Sequence, residues 1–522
     1  MKKPEEAYES LMQLKTLEDM APAKALECLG HFIDIAAKLK KSEGTKHAIE
    51  LGEDLAENEL PSEQLALLYY FLSNAWSDLR KIRSTESHVI WQWKQQEMEQ
   101  EIIYLRKSIR EKGFDRLDSL RKSQVFTNCG NILNSIGRFV EAIEYWDRAL
   151  EETANFGMAL GNKGYALSHY ARALYDDGHK LLFLKYAHVY LKEALKTNLE
   201  EGAPEGFTEC IKQIERVLAT HYSKDIDLDS FSLGRSEKER RYRQWCLQNR
   251  LFLNPINDLG PYKIASRDIF SLPSMVVKKD EGSNPYYYGC FNLMKQEFVS
   301  ARFLYYEGIN QHKPHFSDKG VLLYNTLDYP AFSLSLEKVK VAYRVAYSLF
   351  DKIAFFLNHY LCLGIHEKRV NLRTCWYNKQ NPESGLIQVF EQRQNWPLRG
   401  LFWLSRDLHY KEDLAQPIEP DAQELANIRN HLEHKYLKIH FLPQDGLIKG
   451  KPQQLPDDPI AVSLYRGDFE EKTLRILKLA RAALIYLSLG VGREEDERAA
   501  KISPNSIIPP LLLDTYDDDW KH

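Results

Sequence analysis

The stretch Thr127–Ala154, TNCGNILNSIGRFVEAIEYWDRALEETA, determines the predicted architecture of the N-terminal half of the chain. Two segments with helical periodicity are separated in it by a short break at Gly137. Small residues in both segments allow two antiparallel helices to approach closely, while Leu133 and Trp146 are placed to fill the gap to a neighbouring hairpin. The stretch therefore predicts a helical hairpin that belongs to a stacked array.

The spacing within this hairpin resembles that of the tetratricopeptide repeat (TPR) family, through Gly130, Leu133, Gly137, Phe139, Ala142, Trp146 and Ala149. A second copy begins 34 residues later, where Gly164 and Leu167 match Gly130 and Leu133. Its second helix is predicted only at 186–195, after an insertion near 173–182. More degenerate hairpins are predicted at 47–55, 64–80 and 98–110. Such an array is typical of a binding scaffold, and its partner (protein, peptide or RNA) stays open.

The composition excludes several classes of protein. With 522 residues, 44% of them apolar and 28% charged, the chain is expected to form more than one soluble domain. The net charge of −4 gives no global basic field, so any RNA contact must come from a local patch. The seven cysteines are too far apart for zinc or redox pairs, and they fit a reducing cytoplasm. The sequence shows no signal-peptide core, membrane span or phosphate-binding glycine motif, and no cofactor is expected.

Changes in composition divide the chain into four predicted parts. They are a helical repeat array at 1–221, a linker or junction at 222–284, a helical domain at 285–500 and a C-terminal tail at 501–522. Long helices are predicted in the third part at 291–309, 335–361 and 469–489. We therefore predict an all-α protein, in which a TPR-like helical-hairpin solenoid is followed by a helical bundle.

A further helix is predicted at 420–440. Its apolar stripe, which is expected to face the core, consists of Leu425, Ile428, Leu432 and Tyr436. At about 100° per residue, Asn430 and His434 share a face almost opposite that stripe, and Arg429 and Glu433 lie between the two faces. A guanidinium, an amide, a carboxylate and an imidazole are therefore predicted to project away from the core.

These groups suit the cleavage of RNA. An imidazole can exchange a proton with the ribose 2′-hydroxyl, and a fixed guanidinium can hold the scissile phosphate. Arg429, followed directly by Asn430 and after four intervening residues by His434, resembles the R-x4-6-H motif of the HEPN superfamily of ribonucleases. The resemblance implies a HEPN-like bundle and a metal-independent endoribonuclease of toxin, antiviral defence or stress-response systems. It also implies an RNA substrate, a homodimer, and Arg429, His434 and Asn430 as catalytic residues.

Four polar residues are predicted to support this site. Glu433 and His431 lie on the same helix as the motif, and Asp351 and Asn358 lie on the polar side of the preceding long helix together with Arg344. The alternative is that the polar residues of the long helix form ordinary surface ion pairs.

A stretch of interleaved aromatic and basic residues between these helices is typical of a surface that holds single-stranded RNA. We predict RNA contacts for its arginines Arg373, Arg393, Arg399 and Arg406. Its tryptophans Trp396 and Trp403 are seven residues apart and are interpreted as core residues.

Two competing hypotheses remain open at the motif. His431 and His434 are three residues apart on a helix, but no third ligand is evident, so a metal site is the weaker interpretation. The alternative function from another class is a TPR–HEPN scaffold that binds RNA or a protein partner without cutting. The motif favours the enzyme, because a scaffold has no physical need for this combination of side chains.

Overall fold

The computed structural model describes residues 4–84, 91–220, 227–276, 285–408, 422–441, 458–502 and 512–521. Within these ranges the regular secondary structure is helical apart from one two-stranded sheet, and the predicted fold class is confirmed. None of the described helices combines the length and the apolar composition that crossing a membrane requires.

The N-terminal part is a solenoid of helical hairpins. Its helices are α1 (Pro4–Met12), α2 (Pro22–Lys38), α3 (Ser42–Ala56), α4 (Ser62–Arg83), α5 (Gln96–Arg110), α6 (Ser119–Ser135), α7 (Phe139–Glu152), α8 (Gly157–Ala173), α9 (Asp177–Ala194) and α10 (Ala203–Thr220). Helices pack as consecutive pairs, α4 with α5, α6 with α7 and α8 with α9, and α5 contacts α6 as α7 contacts α8. This is the expected consequence of hairpins that bury their apolar faces against their neighbours.

The hairpin predicted at 127–154 is formed by α6 and α7. Asp118 caps α6 by accepting a hydrogen bond from the backbone N–H of Arg121 at 2.9 Å. Leu133 and Trp146 are both buried. A Cβ atom at Gly130 would lie 2.6 Å from Nε1 of Trp146, so the small residue is required for the close approach of the two helices.

The second hairpin corrects the sequence prediction. Its second helix, α9, begins at Asp177 and not near 186, and the region 173–182 contains no insertion. Asp176 accepts a hydrogen bond from the backbone N–H of His179 at 2.7 Å. The acidic residues and glycine at 176–178, interpreted as a break, therefore form the capped first turn of the helix.

The predicted junction contains helix α11 (Glu237–Gln248) and the short helix α12 (Ile256–Leu259). Residues 251–259 after α11 are buried. Asp258 pairs with the buried Arg481 at 2.6 Å, and Asp268 pairs with the buried Arg302 at 2.8 Å. This stretch packs inside the molecule, while residues 221–226 and 277–284 of the junction lie outside the described ranges. The predicted domain boundaries themselves stay a prediction.

The C-terminal part is a helical bundle. Its helices are α13 (Tyr286–Asn310), α14 (Leu334–Tyr360), α15 (Gln388–Glu391), α16 (Trp396–Leu408), α17 (Ala422–His434) and α18 (Arg466–Ala499). Helix α18 is the central element, because it contacts α13, α14 and α16 and is buried on all sides between Leu479 and Val491. The described end of the predicted tail, 512–521, is exposed, and 503–511 lie outside the described residues.

Two short strands stand beside α17. They are β1 (Tyr436–His440) and β2 (Ala461–Tyr465), which pair in parallel with Tyr436 opposite Ala461. The helix predicted at 420–440 is therefore too long at its C-terminal end, and its first two positions lie outside the described residues. Tyr436 does not extend the apolar stripe, since it lies in β1 and is 67% exposed.

The bundle packs directly against the solenoid. Trp93, in the segment before α5, lies among Trp376, Phe390 and Phe402, with ring centroids 5.3 to 6.2 Å away. Its carbonyl oxygen accepts a hydrogen bond from Nε1 of Trp403 at 2.9 Å. Offset and edge-on ring pairs of this kind add to the apolar burial that joins the two parts.

Candidate active site

Helix α17 presents its apolar side to the bundle, packing on α14 and α16. Leu425, Ile428 and Leu432 are at most 6% exposed, which confirms three of the four predicted stripe positions. The hydroxyl of Tyr343 on α14 donates to the carbonyl oxygen of Leu425 at 2.7 Å. The helix is therefore fixed in rotation, with its other side turned away from the core.

The C-terminal end of α17 is held by Arg344 of α14. Its guanidinium donates to the carbonyl oxygen of Leu432, and its Nε lies 3.9 Å from Oε1 of Glu433. A cation at this end of a helix satisfies the last carbonyl groups and complements the helix dipole. The chain then bends at Lys435 and enters β1, so His434 is the last helical residue.

Arg429 lies at the border between the packed and open sides of α17, where it is half-buried. Its Nη1 donates to Oδ1 of Asn430 at 3.3 Å. Its charge also acts on the carboxyl of Asp351 and the hydroxyl of Tyr347, which lie one helical turn apart on α14. The structure thus brings the arginine of the motif next to one of the predicted supporting residues.

Opposing effects act on the pKa of the Asp351 carboxyl. Burial raises the pKa of its carboxyl, while the backbone N–H of Leu372 and the positive charge of Arg429 act in the opposite direction, and the net shift is upward. The hydrogen bond from Leu372 is long, at 3.5 Å. Arg429 is thus the described charge whose effect opposes the burial of this carboxylate.

His434 and Asn430 lie on the open side of α17, and both are exposed. Among the described residues, His434 has no hydrogen-bond or ion-pair partner. His431 is engaged with its own helix, since its Nδ1 lies 2.7 Å from the carbonyl oxygen of Asn427. The imidazole of His434 is therefore accessible to a substrate, whereas that of His431 is held back by the backbone.

The prediction of Asn358 as a supporting residue is wrong. Its side chain is buried, and its Nδ2 donates to the carbonyl oxygen of Ile365 at 2.8 Å. Its Oδ1 accepts from the backbone N–H of the same residue at 3.0 Å. Both ends of the amide are used to fix the loop after α14, and no described hydrogen bond joins this side chain to Arg429 or His434.

Three of the four predicted RNA-binding arginines are engaged inside the protein. Arg399 is 2% exposed and donates to the carbonyl oxygens of Ser135 and Gln92. Arg406 pairs with Glu99 at 2.7 Å, and Arg393 pairs with Glu494 at 2.8 Å. Contacts between RNA and Arg399 or Arg406 are wrong predictions, because these side chains join α16 to the solenoid. The interpretation of Trp403 as core is confirmed by its burial, and half-buried Arg373 remains an RNA-binding prediction.

Two contributors to the site were not foreseen in their roles. Arg344 had been noted only as a polar residue of the long helix, and its bond to the end of α17 has no signal in the sequence. Tyr347 is a buried aromatic residue whose hydroxyl donates to the carbonyl oxygen of Leu408 at 3.3 Å. Its position next to Asp351 and Arg429 follows only from the packing of α14 on α16 and α17.

These elements define an all-α protein in which a helical solenoid carries a bundle with an Arg-Asn-x-x-x-His helix at its surface. Residues 278–494, which include this helix and α13 to α16, match the family model described as LA2681-like HEPN. No curated protein matches the chain. The match supports the HEPN resemblance of the C-terminal part, while the resemblance of the solenoid to TPR repeats rests on its sequence pattern and its consecutive helix pairs. Among the described residues, no group of three His, Cys, Asp or Glu side chains is arranged to hold a metal ion.

Proposed function

We propose that this protein is a metal-independent endoribonuclease of the HEPN type, acting as a regulated homodimer in defence, toxin or stress-response systems. The observation that carries the proposal is the arrangement of α17. Arg429 is half-buried beside Asp351, whereas Asn430 and His434 of the same motif are exposed to an incoming strand. A cation and an accessible imidazole on the same helix are the two groups that acid–base cleavage of a phosphodiester requires.

The reaction is an internal transesterification. The ribose 2′-oxygen attacks the adjacent phosphorus, and the bond to the 5′-oxygen of the next nucleotide breaks. One proton leaves the 2′-hydroxyl and one is delivered to the departing oxygen, and His434 is the group that moves a proton. Arg429 binds the phosphate and stabilises its added negative charge in the transition state. The products carry a 2′,3′-cyclic phosphate and a 5′-hydroxyl.

The decisive experiment is cleavage of RNA by the purified full chain in the presence of a chelator. His434→Ala and Arg429→Ala should each lower the rate by a factor of about 10² to 10⁴, because a single acid–base group contributes that much. A substrate with a 2′-deoxy sugar at the cleavage position should not be cut. Gel analysis of the end groups would identify the cyclic phosphate.

A matched control is His359→Ala, since His359 is an exposed histidine of α14 outside the motif. It should cleave at the rate of the unaltered protein. Activity that disappears with chelator, or that survives His434→Ala, would contradict the proposed mechanism.

The non-catalytic scaffold is the second candidate, and one surface favours it. The segment from 316 to 332 leaves a run of large apolar side chains more than half exposed, namely Phe316, Val321, Leu322, Leu323, Tyr324, Leu327, Tyr329 and Phe332. A contiguous apolar surface of this kind is typical of a protein-binding site. The same assay separates the candidates, because a scaffold would bind RNA or protein with no cleavage and no dependence on His434.

A further inference from the structure

A cavity of about 140 Å³ lies where the solenoid, the junction and the bundle meet. Its charged lining consists of six cationic side chains, Arg106, Arg138, Arg250, Arg475, Lys478 and Arg481, and three carboxylates, Glu141, Glu144 and Asp407. The volume corresponds to roughly five water molecules. We refer to this space as the basic cavity.

Most of the cations are compensated by acids in or next to the lining. Arg106 and Arg138 share Asp407, and Arg138 also pairs with Glu141 at 2.7 Å. Lys478 lies 3.1 Å from Glu144. Outside the lining, Asp258 pairs with Arg481, and Asp147 pairs with both Arg250 and Lys163. These pairs engage Arg106, Arg138, Lys478 and Arg481 and one end of the Arg250 guanidinium.

Arg250 is the residue that this pairing does not explain. Its Nη2 bonds Asp147, but its Nη1 is buried without a hydrogen-bond partner among the described residues. A buried guanidinium N–H that makes no bond is costly, because its desolvation is uncompensated. An acceptor inside the cavity that Arg250 lines would remove this cost.

The backbone conformation of Arg250 also indicates a role for its side chain. The residue follows α11 with φ +55°, in the left-handed region, where glycine is the favoured residue. Its N–H bonds the carbonyl oxygen of Leu247 at 3.1 Å, and that of Leu251 bonds Cys246 at 2.9 Å, which is the Schellman geometry. The chain thus has an arginine at a position where glycine would be less strained. We attribute the presence of arginine at this position to a role of its side chain.

The cavity also has an entrance. Lys478 and Glu144 are each 35% exposed, while Arg481 and Asp407 on the far side are almost completely buried. An anion can enter past Lys478 and meet the guanidinium of Arg250. Tetrahedral anions with several acceptor oxygens match guanidinium and ammonium donors best.

We propose that the basic cavity binds the phosphate end of a small phosphorylated ligand. A single phosphate or a pyrophosphate group fills the available volume, and any organic part extends outward past Lys478. The ligand would bridge Arg250 of the junction and Lys478 of α18, and it would stabilise the packing of the bundle on the solenoid. This proposal is independent of ribonuclease activity, because binding is measured directly.

The test is calorimetric titration of the full chain with inorganic phosphate, pyrophosphate and a nucleoside triphosphate at constant ionic strength. We expect one site per chain and a higher melting temperature at saturation. Tightest binding of pyrophosphate would identify a free inorganic anion as the occupant, and tightest binding of the triphosphate would identify a nucleotide. No binding of any of the three at millimolar concentration would show that the cavity holds water only, and would overturn the proposal.

Arg250→Gly is the informative variant, since glycine keeps the left-handed backbone and removes the guanidinium. It should fold and bind at least tenfold more weakly, because a charge-assisted hydrogen bond is lost. Arg241→Ala, which removes an exposed arginine of α11, is the control and should bind as the unaltered chain does. If Arg250→Gly does not fold, Lys478→Met takes its place with the same expectation. Unchanged affinity in the folded variant would also refute the site.

Discussion

The carboxyl group of Asp351 is partly buried, accepts a long hydrogen bond from the backbone N–H of Leu372 and experiences the positive charge of Arg429. Because burial raises its pKa above the unfolded value of about 3.9, the folded protein binds this proton more tightly than the unfolded chain does. The stability from this group is complete below the unfolded pKa and is lost as the pH rises through the folded pKa. At neutral pH the ionised carboxylate therefore lowers the stability of the fold.

Asp351→Asn should consequently raise the melting temperature at pH 7. Its advantage should shrink as the pH falls through the raised folded pKa and should be lost below the unfolded value of about 3.9. Cleavage should fall at the same time, because the charge of Arg429 loses its interaction with the carboxylate. Melting curves at several pH values and the RNA assay measure the two effects. Asp19→Asn, an exposed aspartate of the solenoid, is the control. A variant that is less stable at pH 7 and fully active would contradict this role.

The pKa of the Asp407 carboxyl is shifted in the opposite direction from that of Asp351. Burial alone would raise the pKa of its carboxyl, but the charges and hydrogen bonds of Arg106 and Arg138 outweigh burial and hold the pKa well below its usual range. Its contribution to stability is thus present above the unfolded pKa and is lost as the pH falls through the lower, folded pKa. The carboxylate is also the shared partner of two buried guanidinium groups.

Asp407→Asn should therefore destabilise the protein by about 3 to 5 kcal/mol at neutral pH, because it leaves buried charges without their counterion. The midpoint of urea unfolding measures the loss. Asp518→Asn, which removes a fully exposed partner of Lys521, should leave the midpoint unchanged. Equal midpoints for the two variants would show that Asp407 is not the electrostatic link we describe.

At the scale of elements, periodicity predicted the hairpin of α6 and α7 and the buried positions of α17, because both patterns depend on near neighbours in sequence. It failed at the C-terminal end of α17. Tyr436 continues the helical spacing, yet β2, some 25 positions further on, pairs with this segment and makes it a strand. The prediction from periodicity also failed at α9, where the N-terminal cap of the helix was interpreted as a break between helices. Local patterns cannot reveal a competing partner that is distant in sequence.

The arginines of α16 show even more clearly that local sequence patterns cannot identify partners that are distant in sequence. Arg406 and Arg399 alternate with tryptophans, which is equally compatible with an RNA surface and with a buried interface. The acceptors that decide the question, Glu99 and Gln92, lie 307 residues away in sequence. Only the packing of α16 on the solenoid distinguishes the two, so the site on α17 was more predictable than the surface proposed around it.

One close contact between the backbones of the two parts depends on a pair of glycines. A Cβ atom at Gly400 of α16 would lie 2.1 Å from the carbonyl oxygen of Gly137, in the turn between α6 and α7. Gly400→Ala should therefore force the helix away from the solenoid and lower the stability by about 1 to 3 kcal/mol. Thermal unfolding of the full chain measures this change.

Gly289→Ala is the matched control, since Gly289 is also helical but a Cβ there would meet nothing within 4 Å. This variant should gain up to about 1 kcal/mol from helix propensity alone. If both substitutions stabilise the protein, the two parts do not depend on this backbone contact.

At the scale of the whole molecule, α16 connects the solenoid to the candidate active site. Arg106 and Arg138 hold Asp407 near the end of this helix, and the next residue, Leu408, accepts the hydrogen bond of Tyr347 beside Asp351. A ligand that shifts the solenoid against the bundle therefore acts on residues in contact with the motif. This arrangement provides a physical basis for regulation through differential affinity for two arrangements of the parts.

The proposed homodimer is argued from the position of His434. The side chain is exposed at the end of α17, where solvent screens charge and weakens transition-state stabilisation. A second copy of α17 placed opposite by a two-fold axis would enclose the phosphate and supply two arginines and two histidines.

The shared site predicts complementation between inactive variants. A homodimer of His434→Ala retains both copies of Arg429 and has no catalytic histidine. A homodimer of Arg429→Ala retains both copies of His434 and has no catalytic arginine. A mixed dimer contains one Arg429 and one His434. Exchanging subunits between the two proteins should therefore restore cleavage above the level of either protein alone. Mixing under conditions that allow exchange, followed by the RNA assay, measures this recovery, and mixing each variant with itself is the control. A protein that sediments as a monomer at the assay concentration and still cuts RNA would rule out the shared site, since each chain would then complete the reaction without a partner.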